Sequence, residues 1–340
     1  MGRRCRRAAR CPRAATGGRR RTGPPGHSST NSPPTYRRAA KENDVKAKAN
    51  GIELEYEIDG ADDAPPVLLI MGLGAQLTLW PMPMVEQLVA RGYRVIRYDN
   101  RDIGLSTKFD AAGIPLMPGV IAAMMMGVKP DVPYLLADMA ADAIGLLDAL
   151  GIARAHIIGA SMGGMIAQMV AAAYPERVLS LTSIMSTTGN PALPPATTEA
   201  MTVLTTRPDC IDEDAIVAHG VRIEKVIGSP GYPADPEKLS AQVRAGFRRS
   251  YHPPGFARQM VAIVASGDRR DALRTITAPT MVIHGVDDPL VPLAGGRDTA
   301  ATIPGAQIVE ILGMGHNLPE ALIPQVLDAF ERVAKDGAAG

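Results

Sequence analysis

From residue 45 onward the apolar positions of the chain fall into two rhythms. Lys46 to Asn50 and Ile52 to Ile58 alternate polar and apolar residues, as strands with one buried face do, and Asn50-Gly51 between them is a two-residue hairpin signal. Val67-Leu-Leu-Ile-Met71 is continuously apolar, the mark of a strand covered on both faces in a parallel sheet. Further strands are predicted at Arg94 to Tyr98, Ala155 to Gly159, Val178 to Met185, Thr280 to His284 and Gln307 to Leu312. Between them the period changes to that of a helix. Met84 to Arg91 stops at Gly92, and Tyr134 to Leu150 repeats Leu135, Met139, Ala143, Leu146, Leu147 and Leu150 at a spacing near 3.6. Met162 to Tyr174, Leu293 to Thr302 and Pro319 to Ala334 are the other core helices expected.

Strands alternating with helices predict an α/β fold, with a mostly parallel central sheet and helices on both faces. The alternation is broken twice. Asp110 to Pro133 reads as a long irregular stretch. Residues 187–271 hold several helical patterns and many prolines but no buried-strand run. An inserted helical cap is the natural reading, lying over the C-terminal edge where open α/β sheets bind ligands. The core is then 45–186 and 272–340.

Composition changes the picture mainly at the N-terminus. The 340 residues carry a net charge of +1, 46% hydrophobic and 21% charged residues, as a soluble globular chain does. Residues 1–44 nevertheless contain eleven Arg and Lys41 against Glu42 and Asp44, with almost no large apolar side chain. Such a segment cannot offset the entropy cost of ordering and is expected to be a disordered basic tail. It has no apolar stretch of the kind a secretory signal needs. Without interleaved aromatics or a following basic domain, it does not point to a nucleic-acid partner. No run reaches the roughly 18 apolar residues of a membrane span, so no membrane partner is expected. Three cysteines, Cys5, Cys11 and Cys210, make no disulfide framework, and a reducing, cytoplasmic setting is the expectation.

The candidate chemistry sits in Gly159-Ala-Ser161-Met-Gly163, between a predicted strand and a predicted helix. Gly-x-Ser-x-Gly in that context forms a tight turn that raises the serine at the head of a helix. A serine needs a base. Of six histidines, His27 is in the tail, His156 in a buried strand, His219 and His252 in the cap, and His284 at the end of a core strand. His316 follows the last strand in Gly313-Met-Gly-His316, a loop at the same sheet edge as Ser161. The acid that fixes the base is sought in Asp287-Asp288-Pro289, with Asp288 preferred and Asp287 in reserve. The order Ser161, Asp288, His316 suits this architecture. Oxyanion donors are expected from the amide of Met162 and from Met71-Gly-Leu-Gly-Ala-Gln76, at Leu73 or else Gly74. That loop lacks the G-x-x-G-K-[ST] continuation of a phosphate loop. Nothing in the chain calls for a metal or a cofactor.

Gly72-Leu-Gly74, Tyr98-Asp-Asn-Arg-Asp-Ile-Gly-Leu-Ser106, the Ser161 pentapeptide, Gly285-Val-Asp-Asp-Pro-Leu-Val-Pro292 and Gly313-Met-Gly-His316 together resemble the α/β-hydrolase superfamily, from residue 50 onward. Within it, the chain is similar to bacterial serine esterases of the aclacinomycin methylesterase type, where Met71-Gly72 stands in place of the more usual His-Gly. The resemblance implies a serine hydrolase. Ser at the elbow points to acyl transfer, whereas dehalogenases and epoxide hydrolases of this fold use Asp there. Trp80, the single Trp, and Met124 and Met125 in the Asp110 to Pro133 stretch are expected beside the substrate. With no cluster of basic groups for an anion, the expected substrate is a medium-sized apolar ester, a methyl ester among them. Carbon–carbon hydrolysis of a β-diketone, cofactor-free perhydrolase or haloperoxidase chemistry, and a slow-turnover ligand receptor stay open on the same residues.

Overall fold

The computed structural model describes residues 45–208 and 210–338. The basic tail lies outside the described residues. Eight strands form one sheet: β1 (Lys46–Ala49), β2 (Ile52–Asp59), β3 (Pro66–Ile70), β4 (Arg94–Tyr98), β5 (Ala155–Ala160), β6 (Val178–Ile184), β7 (Thr280–Gly285) and β8 (Gln307–Ile311). Their order is β1-β2-β4-β3-β5-β6-β7-β8. The first two pairings are antiparallel and all later ones parallel. Asn50 and Gly51 take φ of 48° and 79°, the paired left-handed residues that a twisted two-residue hairpin requires.

The helices are α1 (Met82–Ala90), α2 (Met117–Met125), α3 (Leu136–Ala149), α4 (Met162–Ala173), α5 (Thr198–Thr205), α6 (Glu213–Ile227), α7 (Pro236–Arg249), α8 (Pro253–Ser266), α9 (Arg270–Leu273), α10 (Leu293–Thr302) and α11 (Ile323–Ala338). The pleat sends alternate residues of β3 to opposite faces. Leu68 and Ile70 join Met139, Leu146 and Leu147 of α3 and Ile166 and Val170 of α4. Val67 and Leu69 join Met84, Val85 and Leu88 of α1 and Leu327, Phe330 and Val333 of α11. At about 25 cal/mol per Å² of apolar surface, covering both faces is the main force holding these layers.

Helices α5 to α9 lie between β6 and β7. One buried ion pair ties this insertion to the sheet: Arg258 Nε and Nη2 of α8 donate to both oxygens of Asp102, at 2.8 and 2.7 Å. Tyr134 Oη and the Phe109 amide also donate to Asp102. The stretch expected to be irregular contains α2. Its apolar residues lie all round it, so there was no amphipathic period to read, and Pro118 opens its first turn. Among the described residues no helix is long and apolar enough to cross a membrane.

Candidate active site

Four loops leave the C-terminal ends of β3, β5, β7 and β8 and converge. Ser161 is the residue between β5 and α4, with φ 57° and ψ −121°. A side chain in that region costs on the order of 1–3 kcal/mol and persists only where its surroundings enforce it. Here the Ser161 amide donates to the Ile184 carbonyl at 2.9 Å. Its carbonyl accepts from the amides of Gly164 and Met165 and from Ser186 Oγ. A β-carbon on Gly159 would collide with the carbonyl of Gly163, and one on Gly163 with that of Ile70. Both glycines of the pentapeptide are therefore dictated by space.

His316 Nε2 lies 2.9 Å from Ser161 Oγ, and Nδ1 lies 2.7 Å from Asp288 Oδ2. A carboxylate only accepts, so Nδ1 carries the proton and Nε2 meets the hydroxyl as an acceptor. Asp288 is buried, and its other oxygen accepts from the Leu290 and Val291 amides at 2.9 and 2.8 Å. Asp287 turns elsewhere: its Oδ2 accepts from the Gly313 amide at 2.8 Å and so holds the start of the His316 loop. Of the two aspartates, Asp288 is the one that reaches His316.

The β3 loop runs against the serine, since a β-carbon on Gly72 would stand 3.1 Å from Ser161 Cβ. The Gly74 amide is taken by Gln259 Oε1 at 2.9 Å. The Leu73 amide and the Met162 amide, at the head of α4, have no hydrogen-bond partner among the described residues. The segment after β4 braces this loop from below. Asn100 Nδ2 donates to the Met71 carbonyl, and Asp99 accepts from the Leu77 and Leu105 amides and from Arg249 of α7.

The inserted helices also press on the His316 loop. The His316 amide donates to the Ile227 carbonyl at 2.7 Å, and the Gly315 amide to Ser229 Oγ at 2.9 Å. Asn317 bridges Ser229 and Glu224 of α6. Burial raises the pKa of Glu224, with the Asn317 hydrogen bond and the nearby His316 acting the other way. A β-carbon on Gly315 would collide with the Gly228 carbonyl, which explains the glycine just before His316. Sequence reasoning found the loops but not these contacts. Ser229, Glu224 and Gln259 stand in ordinary polar positions of a helical insertion and carry no motif.

The residues expected around a substrate are dispersed. Trp80 is 1% exposed and packs in the core with Val67, Leu69 and Met84. Met125 is 84% exposed on α2. Met124 is half-buried, with its Cε 3.1 Å from where a β-carbon on Gly267 would lie.

Comparison with known proteins agrees with this architecture. The family model described as alpha/beta hydrolase fold matches residues 65–320. Rhodomycin D methylesterase of Streptomyces peucetius is 31% identical over 281 residues, 76% of this chain and 86% of that protein. The 2-hydroxy-6-oxononadienedioate/2-hydroxy-6-oxononatrienedioate hydrolase of Cupriavidus pinatubonensis is 30% identical over 262 residues, 76% of this chain and 82% of that one. Among solved structures, the enol-lactonase of Burkholderia xenovorans LB400 superposes with a TM-score of 0.63 at 28% identity, over 87% of this chain and all of that one.

Proposed function

The chain belongs to the alpha/beta hydrolase fold family, and from that premise we propose that it hydrolyses a medium-sized apolar carboxylic ester through an acyl-enzyme on Ser161. The observation that carries this reading is the continuous relay from Ser161 Oγ to His316 Nε2 at 2.9 Å and from His316 Nδ1 to Asp288 at 2.7 Å. In the first step His316 takes the hydroxyl proton as Oγ attacks the acyl carbon. The carbonyl oxygen becomes an oxyanion that accepts from the Leu73 and Met162 amides. Asp288 stabilises the imidazolium formed, without taking its proton. The tetrahedral adduct collapses, His316 protonates the leaving alcohol, and the acyl group stays on Ser161. In the second step His316 activates water, which displaces the acyl group and returns the proton to Ser161.

One observation favours an apolar ester. Arg101, Arg249 and Arg258 are each held by an aspartate, Asp142, Asp99 and Asp102 respectively. None of the three is left to receive an anionic substrate group. A methyl ester is included because the Streptomyces relative is named a methylesterase.

The test is labelling by a fluorophosphonate probe, followed by a panel of methyl and p-nitrophenyl esters of graded acyl length. Wild type is expected to label and turn over mid-length esters, and Ser161→Ala to do neither while melting as wild type does. A β-diketone and a peroxide assay belong in the same panel. Turnover confined to either would replace the ester reading, and labelling without any turnover would favour a ligand receptor.

A further inference from the structure

The inserted helices hold the oxyanion loop by a specific pair of hydrogen bonds. Gln259 on α8 is fully buried. Its Oε1 accepts from the Gly74 amide at 2.9 Å, and its Nε2 donates to the Arg101 carbonyl at 2.8 Å. An amide N–H can only donate and a carbonyl can only accept, so the two partners fix the orientation of this side chain. Gly74 itself is in the left-handed region at φ 68°, and a β-carbon there would sit 2.6 Å from the Phe256 ring, one turn earlier on α8. The same helix therefore grips Gly74 by a ring on one side and an amide on the other.

The next residues are held as firmly. Gln76 Nε2 donates to the Gly246 and Ser250 carbonyls at the end of α7, at 2.8 and 2.9 Å. Gln76 Oε1 accepts from Arg249 Nη1, which also reaches Asp99. The Leu73 amide, between Gly72 and these anchors, has no hydrogen-bond partner among the described residues. The donor that the proposed reaction needs is thus carried by a peptide whose position is set from the insertion, not from the sheet alone.

We propose that Gln259 is the positioning residue of the oxyanion loop: by holding the Gly74 amide it aims the Leu73 amide at the developing oxyanion, and so couples the seating of the inserted helices to the chemical step. This inference rests on the serine-hydrolase reading above. Transition-state donors act through fixed geometry, because only a donor already in place costs no reorganisation when charge develops. Loss of Gln259 leaves the Leu73 amide present but free to wander. Its signature is therefore a fall in kcat with KM little changed, which a general loosening of substrate binding does not give.

The experiment compares Gln259→Leu and Gln259→Glu with wild type on the best ester of the panel, with melting temperature and inhibition by a phenylboronic acid measured in parallel. Gln259→Leu is expected to lose on the order of tenfold to a hundredfold in kcat. Boronate affinity, which depends on a tetrahedral adduct in the same hole, is expected to fall with it. Gln259→Glu keeps the shape of the side chain. Its carboxylate accepts from Gly74 but faces the Arg101 carbonyl without a proton, whereas the protonated acid restores both bonds. Burial raises a carboxyl pKa, so the activity of Gln259→Glu relative to wild type is expected to climb as pH is lowered from 8 to 6. If Gln259→Leu fails to fold, this pH-dependent rescue carries the test alone. A folded Gln259→Leu with kcat within twofold of wild type overturns the proposal, as does a Gln259→Glu activity ratio that stays low at every pH. A wild type that neither labels at Ser161 nor cleaves any ester overturns the serine-hydrolase reading instead, before either variant is made.

Discussion

His284 Nε2 lies 3.8 Å from Asp288 Oδ2 yet gives its proton to the Val291 carbonyl, 2.7 Å away. The Val291 amide in turn donates to Asp288 Oδ1. A buried histidine thus holds the turn that holds the acid. Burial lowers its pKa, the Val291 and Asp288 interactions opposing, so near neutrality the ring is uncharged and adds no competing cation beside Asp288. His284→Phe removes the donor and leaves a buried carbonyl unpaired, at a cost of about 1–3 kcal/mol. Ester turnover is expected to fall about tenfold through kcat, with His284→Gln, which can still donate, retaining more. Steady-state kinetics and melting on both variants check this; an unchanged kcat in His284→Phe removes His284 from the positioning of Asp288.

The elbow glycines make a sharper stability prediction. A β-carbon on Gly163 collides with the backbone of β3, which cannot retreat without breaking its pairing on both sides. Gly163→Ala is expected to cost more than about 3 kcal/mol, or to prevent folding. Gly119 in α2 has nothing within 4 Å of its absent β-carbon. Gly119→Ala is expected to be neutral or stabilising by up to about 1 kcal/mol, through helix propensity and a stiffer unfolded chain. Urea denaturation of the pair measures the contrast directly.

What the sequence discloses here follows from range. Local signals were legible: Asn50-Gly51 folds as the hairpin, Leu293–Thr302 is a helix, and Ser161 lies between a strand and a helix as its neighbours implied. The meeting of Ser161, Asp288 and His316 was legible because each follows a strand of one sheet, and strand order carries that information. Contacts without a periodic or strand-end signature were not. Asp102 and Arg258 are 156 positions apart and join the inserted helices to the core; nothing near either residue announces the other. Gln259 and Ser229 act on the loops from inside helical segments or just beyond them, where one polar residue looks like any other. Trp80 follows the glycine loop so closely in sequence that a place beside the substrate is expected, but the short turn Leu77–Leu79 swings it inward to the α1 side of the sheet.

That placement separates two kinds of effect. Trp80 is enclosed by core residues, so Trp80→Ala is expected to cost about 3–5 kcal/mol of stability, with Trp80→Phe milder. Met125 stands in solvent at 84% exposure, and Met125→Ser is expected to change neither melting temperature nor turnover of the panel esters. A variant of Met125 with altered acyl-length preference and unchanged stability would return that residue to the substrate site.

The dependence of stability on acid follows from His156. Its ring is buried in β5, with Nδ1 2.8 Å from Ser180 Oγ and the rings of Tyr93 and Phe330 edge-on at 5.8 and 5.6 Å. Burial, helped by the charge of Arg154, pushes its pKa down to about 4 from an ordinary 6.5. Above pH 6.5 both folded and unfolded chains hold it neutral, and it adds no pH dependence. Between pH 6.5 and 4 the unfolded chain takes up a proton that the folded chain refuses, so stability falls as pH falls through that window. The loss from this residue is about 2 kcal/mol between pH 7 and pH 5 and about 3 kcal/mol below pH 4. His284 and His219, whose pKa values are also lowered chiefly by burial, add slope of the same sign. His156→Gln is expected to be less stable than wild type at pH 7, having lost the ring contacts, but to decline less steeply toward pH 5. Urea unfolding of both proteins at pH 7, 6 and 5 gives the two slopes, and parallel slopes would mean that His156 is not the group that resists the proton.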